Sequence, residues 1–206
     1  MKIAFISLGC DKNLVDSEVM LGIIKEENFE ITDDENDADI VIINTCGFIL
    51  DATKEGIENV LRIAELKNNG LIRGIVVTGC MAQRYREEIF KEIPEVDAVV
   101  GTGDFEGIAN VLKEISNGKS KIQLITDNNK EITDIISHKR VLSTPNYLAY
   151  LKIAEGCDNF CTYCTIPSLR GKYRSRKLES LIKESEILAQ QGVKELILVA
   201  QDTSLY

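Results

Sequence analysis

The 206-residue chain has no tryptophan, one histidine and three prolines. The single histidine, His138, lies in the polar stretch ISHKR and reads as a solvated loop residue. A hydrolase triad or a histidine-rich zinc centre would have to be built around it, which sets both chemistries aside. No apolar run approaches the length needed to cross a bilayer, and MKIAFISLGCDKN lacks the apolar region and cleavage site of a secretory signal. The expected address is therefore cytoplasmic, with no membrane contact. Thiols are kept reduced there, so the six cysteines point to metal or catalytic roles rather than disulfides.

Positive charge is scarce in the first two thirds. Residues 1–138 carry a net charge of −12, whereas residues 139–206 carry +3. An acidic body argues against broad nucleic-acid binding and tolerates a basic protein partner.

Apolar runs predict strands at 2–8, 29–31, 39–44, 72–78, 96–100 and 121–125. Helical periodicity fills the gaps at 13–27, 51–67, 81–93 and 105–115, and Ile57, Leu61 and Ala64 are expected on the buried face of the second helix. Near-continuously apolar strands alternating with helices predict a doubly wound parallel α/β sheet over residues 1–125. Residues 126–146 lose periodicity and read as a linker. A strand at 147–154, a helix at 178–191 closed by Gly192 and a strand at 195–200 then make one βαβ unit over 147–206. The stretch from Gly101 to Gly107 mimics a dinucleotide loop with one residue too many, and reads as a plain strand-to-helix turn.

Three apolar runs end at a thiol: AFISLGC at Cys10, VIINTC at Cys46 and IVVTGC at Cys80. In a parallel α/β sheet all strand C-termini share one edge, so the three cysteines should converge there. Gly9, Gly47 and Gly79 beside them allow sharp turns. The helix N-termini that follow favour thiolate over thiol. A second trio, Cys157, Cys161 and Cys164, has C-x3-C-x2-C spacing just after a strand. Each trio is one ligand short of a structural zinc site, whereas an iron–sulfur cluster accepts three cysteines and leaves one iron open.

C-x3-C-x2-C after the first strand of a βα barrel resembles the radical S-adenosylmethionine (SAM) superfamily. An upstream α/β domain with three dispersed cysteines resembles the methylthiotransferases within it. SLGCDKNLVDSE from Ser7, NTCGFI from Asn44, CTYCTIPSLRG from Cys161 and VAQDTSLY from Val199 are similar to the RimO type, which methylthiolates an aspartate of a small-subunit ribosomal protein. The tRNA-modifying MiaB type reads more like GCQMN and GQNV at the first and last of these motifs. The proline usual in the family after Cys10 is Asp11 here.

The resemblance implies two [4Fe-4S] clusters and SAM as cofactors. The cluster on Cys157, Cys161 and Cys164 would bind SAM and generate the radical that attacks the aspartate β-carbon. The one on Cys10, Cys46 and Cys80 would carry the sulfur. It also implies a basic ribosomal protein as substrate, a flavodoxin- or ferredoxin-type electron donor, and Tyr163 as an aromatic near the adenine. A complete (βα)8 barrel takes ~200 residues. The chain is therefore expected to hold only the start of one, to be inactive alone and to expose an apolar barrel edge.

Arg170, Lys172, Arg174 and Arg176 form a basic run that either faces solvent or meets the SAM carboxylate or substrate aspartate. Asn13, Asp16 and Ser17 are expected to cap their helix or face water. Competing readings are a tRNA adenosine methylthiotransferase, a non-catalytic two-cluster electron carrier and a zinc-stabilised interaction module.

Overall fold

The computed structural model describes residues 1–129, 132 and 140–206. His138 and part of the expected linker lie outside the described residues. The first part is a six-stranded sheet built from β1 (Lys2–Ser7), β2 (Glu30–Thr32), β3 (Ile40–Thr45), β4 (Gly74–Gly79), β5 (Ala98–Val100) and β6 (Ile122–Leu124). Its order is β2-β1-β3-β4-β5-β6, with every neighbouring pair parallel. This is the doubly wound arrangement, and the strand order reverses between β1 and β3, where such sheets open a crevice at their C-terminal edge.

Apolar strands become central strands here because both faces are covered. One face packs Ile3, Ile42 and Val76 against Val19, Ile23 and Ile24 of α1 (Asp11–Glu26) and Ile108 and Leu112 of α5 (Ile108–Ser116). The other packs Val41, Ile43, Ile75 and Val77 against Val60 and Ile63 of α2 (Leu50–Asn68) and against Ile89 of α4 (Glu87–Glu92). Each such fully buried side chain contributes about 1.5–3 kcal/mol relative to exposure.

The buried face of α2 is rotated from the expected one. Gly56, Val60, Ile63 and Ala64 are buried, whereas Ile57 and Leu61 are exposed. They line a groove of about 490 Å³ with Met81, Tyr85, Ile89 and Ile93. Sequence periodicity supports either stripe, and the small Gly56 decides it by letting the helix close onto Met81, whose Sδ would lie 3.3 Å from a Cβ there. The helix expected over 81–93 is two, α3 (Cys80–Tyr85) and α4, because Arg86 takes φ +44° and breaks the ladder.

The second part begins with β7 (Leu148–Lys152), paired in parallel with β10 (Glu195–Val199) through α7 (Leu178–Gln190). The single strand expected at 147–154 is divided. Ile153 still donates to Val199, but its carbonyl accepts from Arg176. The next two residues, β8 (Ala154–Glu155), pair antiparallel with β9 (Arg174–Ser175). Between β8 and β9 lie the cysteine loop and α6 (Ile166–Arg170). Among the described residues no helix is long and apolar enough to cross a membrane.

Candidate metal centres and the buried bridge between them

Cys10, Cys46 and Cys80 follow β1, β3 and β4, three adjacent strands. Neighbouring strands are about 4.8 Å apart, so the three loops open onto one stretch of the sheet rim. The glycines beside them make the close approach possible. Gly79 takes φ +88°, and a Cβ on it would lie 2.3 Å from Asn44 Oδ1 and 2.5 Å from the Thr45 carbonyl. A Cβ on Gly47 would lie 2.9 Å from the Cys80 carbonyl carbon. Asn13 ties the rim together by donating to the carbonyls of Leu8 at 3.2 Å and Thr45 at 3.1 Å.

Within this trio Cys10 is exposed, Cys46 half-buried and Cys80 buried. Burial pushes the Cys80 thiol up, although the nearby Arg170 guanidinium pulls the other way. Cys80 is the first residue of α3, where the helix N-terminus was expected to favour thiolate, yet its burial acts in the opposite direction.

The second trio is organised locally. Cys157 N donates to the Gly171 carbonyl at 3.1 Å and Cys164 N to the Cys161 carbonyl at 2.9 Å. Gly156 takes φ +78°, and a Cβ there would stand 2.0 Å from the Lys172 carbonyl oxygen. The loop lies open: Cys161 is exposed, and Phe160 and Tyr163 are 68% and 84% exposed. Asn159 donates to Cys157 Sγ at 3.4 Å and to Asp202 at 2.9 Å, tying the loop to the residues after β10.

The donor sets fit iron–sulfur chemistry. Each consists of three soft sulfurs with neither imidazole nor carboxylate among them. Among the described residues, no three His, Cys, Asp or Glu side chains converge closely enough for one metal ion. A mononuclear zinc site demands that convergence on one ion, whereas a cubane gives each thiolate its own iron and so spaces the three sulfurs further apart.

Between the trios runs a buried charge network. Asn13, Asp16 and Ser17 of α1 were expected at a cap or in water, yet these three and the neighbouring Glu18 are at most 4% exposed. The helix packs Asp16 and Glu18 against cations that follow residue 139, while Ser17 bonds to Ser7 and Asn44 of the sheet. Arg170 donates to Asp16 at 2.9 Å, to Glu155 at 3.1 Å and to Asn13 Oδ1. Lys152 pairs with Asp16 and, at 3.2 Å, with Glu155. Arg140 bridges Glu18 and Glu184, both at 2.6 Å, and Arg176 pairs with Glu184 at 2.5 Å.

Burial alone would raise Glu155, but Arg170, Lys152 and Lys12 around it hold it well below the usual carboxylate range. Lys12, desolvated beside them, is lowered to about 8. Arg170 and Arg176 of the basic run are thus buried ion-pair partners rather than solvated side chains. The residue pattern carried no signal for this, because a polar helical stripe reads the same whether it faces water or buried partners.

A parallel sheet with three cysteines at its C-terminal rim, joined to a strand–cysteine loop–helix unit, is the arrangement that the resemblance to radical SAM methylthiotransferases implies. Residues 2–101 match Uncharacterized protein family UPF0004 and residues 151–206 match the Radical SAM superfamily. Over 208 residues the chain is 51% identical to "Ribosomal protein uS12 methylthiotransferase RimO" of Lachnoclostridium phytofermentans, covering all of this chain and 46% of that protein. The like-named protein of Clostridioides difficile is 52% identical over 206 residues, with the same coverage. That of Geobacter sulfurreducens is 49% identical over 205 residues, covering 100% of this chain and 45% of the relative.

The chain is similar to the radical SAM methylthiotransferases, and to their RimO members over the N-terminal part of those proteins. It spans about half the length of the curated relatives it matches. Among solved structures, the cobalamin-dependent SAM radical enzyme OxsB, with aqua-cobalamin bound, aligns with a TM-score of 0.55. That match is at 12% identity and covers 98% of this chain and 34% of the other, a likeness of fold.

Proposed function

We propose that this chain serves a radical SAM methylthiotransferase that adds a methylthio group to the β-carbon of an aspartate in ribosomal protein uS12. The observation that carries the proposal is the pair of three-thiol sets, one on a sheet rim and one in a barrel loop, locked together by a buried ion-pair network. Cys10, Cys46 and Cys80 would hold one [4Fe-4S] cluster and Cys157, Cys161 and Cys164 the other. With SAM bound, these centres supply one-electron chemistry that removes hydrogen from an unactivated carbon and delivers sulfur to it.

The chain's own residues do the positioning. Gly156 and Gly171, both at positive φ, hold the second loop tight against its own base. The exposed Tyr163 offers a face for the adenine of SAM. Asn13 and Arg170 hold the rim of the first trio against the barrel. The acidic sheet domain suits a basic ribosomal protein, and the electron is assigned to a flavodoxin- or ferredoxin-type donor. Residues 1–125 form the sulfur-carrying domain, 126–146 the linker and 147–206 the beginning of the barrel. Thiol-rich sites of this kind belong in the reducing cytoplasm.

Anaerobic reconstitution of the wild type and of two triple Cys→Ala variants, one per trio, tests the cluster assignment. About eight irons in the wild type, halved in each variant, is the expected count. Mass spectrometry of uS12 peptides after incubation with the full-length enzyme, SAM and reductant tests the substrate. A methylthio group appearing on tRNA adenosine instead would overturn that half of the proposal.

A further inference from the structure

The two trios are joined through one side chain. Arg170 ends α6, the helix directly after the loop of Cys157, Cys161 and Cys164, and it is 2% exposed. Its guanidinium reaches across to the other domain and donates to Asn13 Oδ1. That same oxygen lies 3.9 Å from Cys80 Sγ. Asn13 also donates to Thr45, the residue before Cys46. The barrel unit therefore places a fixed cation at the back of the first trio.

The surrounding charge makes the placement meaningful. Lys12, Lys152 and Arg170 are buried together with two carboxylates, Asp16 and Glu155. Three cations face two anions, so this group carries one positive charge in excess. An excess buried charge is costly unless an anion sits beside it. The thiolates of the first trio would provide that anion, since Cys80 Sγ lies against the same Asn13 oxygen that Arg170 holds.

Resting on the cluster reading above, we infer that Arg170 is a positioning residue for the Cys10–Cys46–Cys80 centre. It is supplied by the barrel, aims its guanidinium at the Cys80 side, and raises the reduction potential of the cluster held there. The physical reason is that reduction adds negative charge, and a buried cation or a hydrogen bond toward a ligand sulfur stabilises the more negative state.

The test uses the full chain, reconstituted anaerobically as wild type, Arg170→Lys and Arg170→Gln. Potentiometric titration is followed by EPR, with the first-trio signal assigned in the background lacking Cys157, Cys161 and Cys164. Arg170→Gln should make the first cluster about tenfold harder to reduce, a fall of about 59 mV for a one-electron couple. Arg170→Lys keeps the charge without the planar fork and should fall by less. The second cluster should shift less than the first in both variants. Loss of iron from the first trio alone, in either variant, also supports the assignment.

An unmoved first potential in Arg170→Gln, equal shifts in both clusters, or loss of both clusters from both variants overturns it. A wild-type chain whose first trio takes up no iron overturns the cluster reading and this inference together. A loaded wild type with an unmoved Arg170→Gln overturns the inference alone.

Discussion

The two cysteine trios solve one problem by opposite means. Cys157, Cys161 and Cys164 are brought together by eight consecutive residues, and the loop that carries them is largely open to solvent. Cys10, Cys46 and Cys80 are spread over 71 residues and share one stretch of the sheet rim only because β1, β3 and β4 are neighbours in the sheet. A local site depends on the conformation of its own loop. A dispersed site depends on the register of three strands, the packing of the helices behind them and the docking of the next domain. The first trio should therefore fail through substitutions far from any sulfur, and the second should not.

The largest effect that would sharpen this contrast is expected at Asp16. Asp16→Ala leaves Lys152 and Arg170 buried with Glu155 as their remaining carboxylate partner. Breaking such a buried network costs about 3–5 kcal/mol. Urea unfolding should show the loss, and limited proteolysis should show the sheet domain and barrel unit parting. An unchanged midpoint would break the claim that the network holds the two sites together.

Next comes Ile63→Ala, which empties a fully buried position of α2 behind the sheet. It should cost about 2–5 kcal/mol by calorimetry or denaturant melts. Its iron loss should fall on the first trio while the second remains loaded.

Gly79→Ala follows. The positive φ alone costs about 1–3 kcal/mol, and the added Cβ meets Asn44 and the Thr45 backbone. Retention of all first-trio iron in this variant would contradict the view that Gly79 shapes that rim.

The smallest effect is expected at Tyr163, which is almost fully exposed. Tyr163→Ala should change stability by less than about 0.5 kcal/mol while weakening SAM binding measured by equilibrium dialysis. A large stability loss there would show that the second loop is less self-contained than the comparison holds.

Legibility in the sequence followed the same division. The second trio could be read from spacing alone, because its geometry is set within a few bonds of the chain. The parallel sheet could be read as well, since only a strand covered on both faces tolerates a run such as Ile40–Ile43. The burial of Asn13, Asp16, Ser17 and Glu18 could not, because a polar helical stripe looks the same whether it faces water or cations from another domain. The rotation of α2 was hidden for a related reason: Ile57 and Leu61 are as apolar as Val60 and Ile63, and the small Gly56 selects the face.

By itself, then, the sequence determined the α/β alternation, the placement of three thiols at strand ends and the compact cysteine loop, all consequences of short-range pattern. The tertiary structure alone decided which strands stand side by side, that Cys80 is desolvated, and that Arg170 crosses from one domain to lie behind the sulfurs of the other. Those outcomes depend on long-range pairing of buried charges. Such pairs are complementary only in three dimensions, and partners such as Asp16 and Arg170 lie 154 residues apart along the chain.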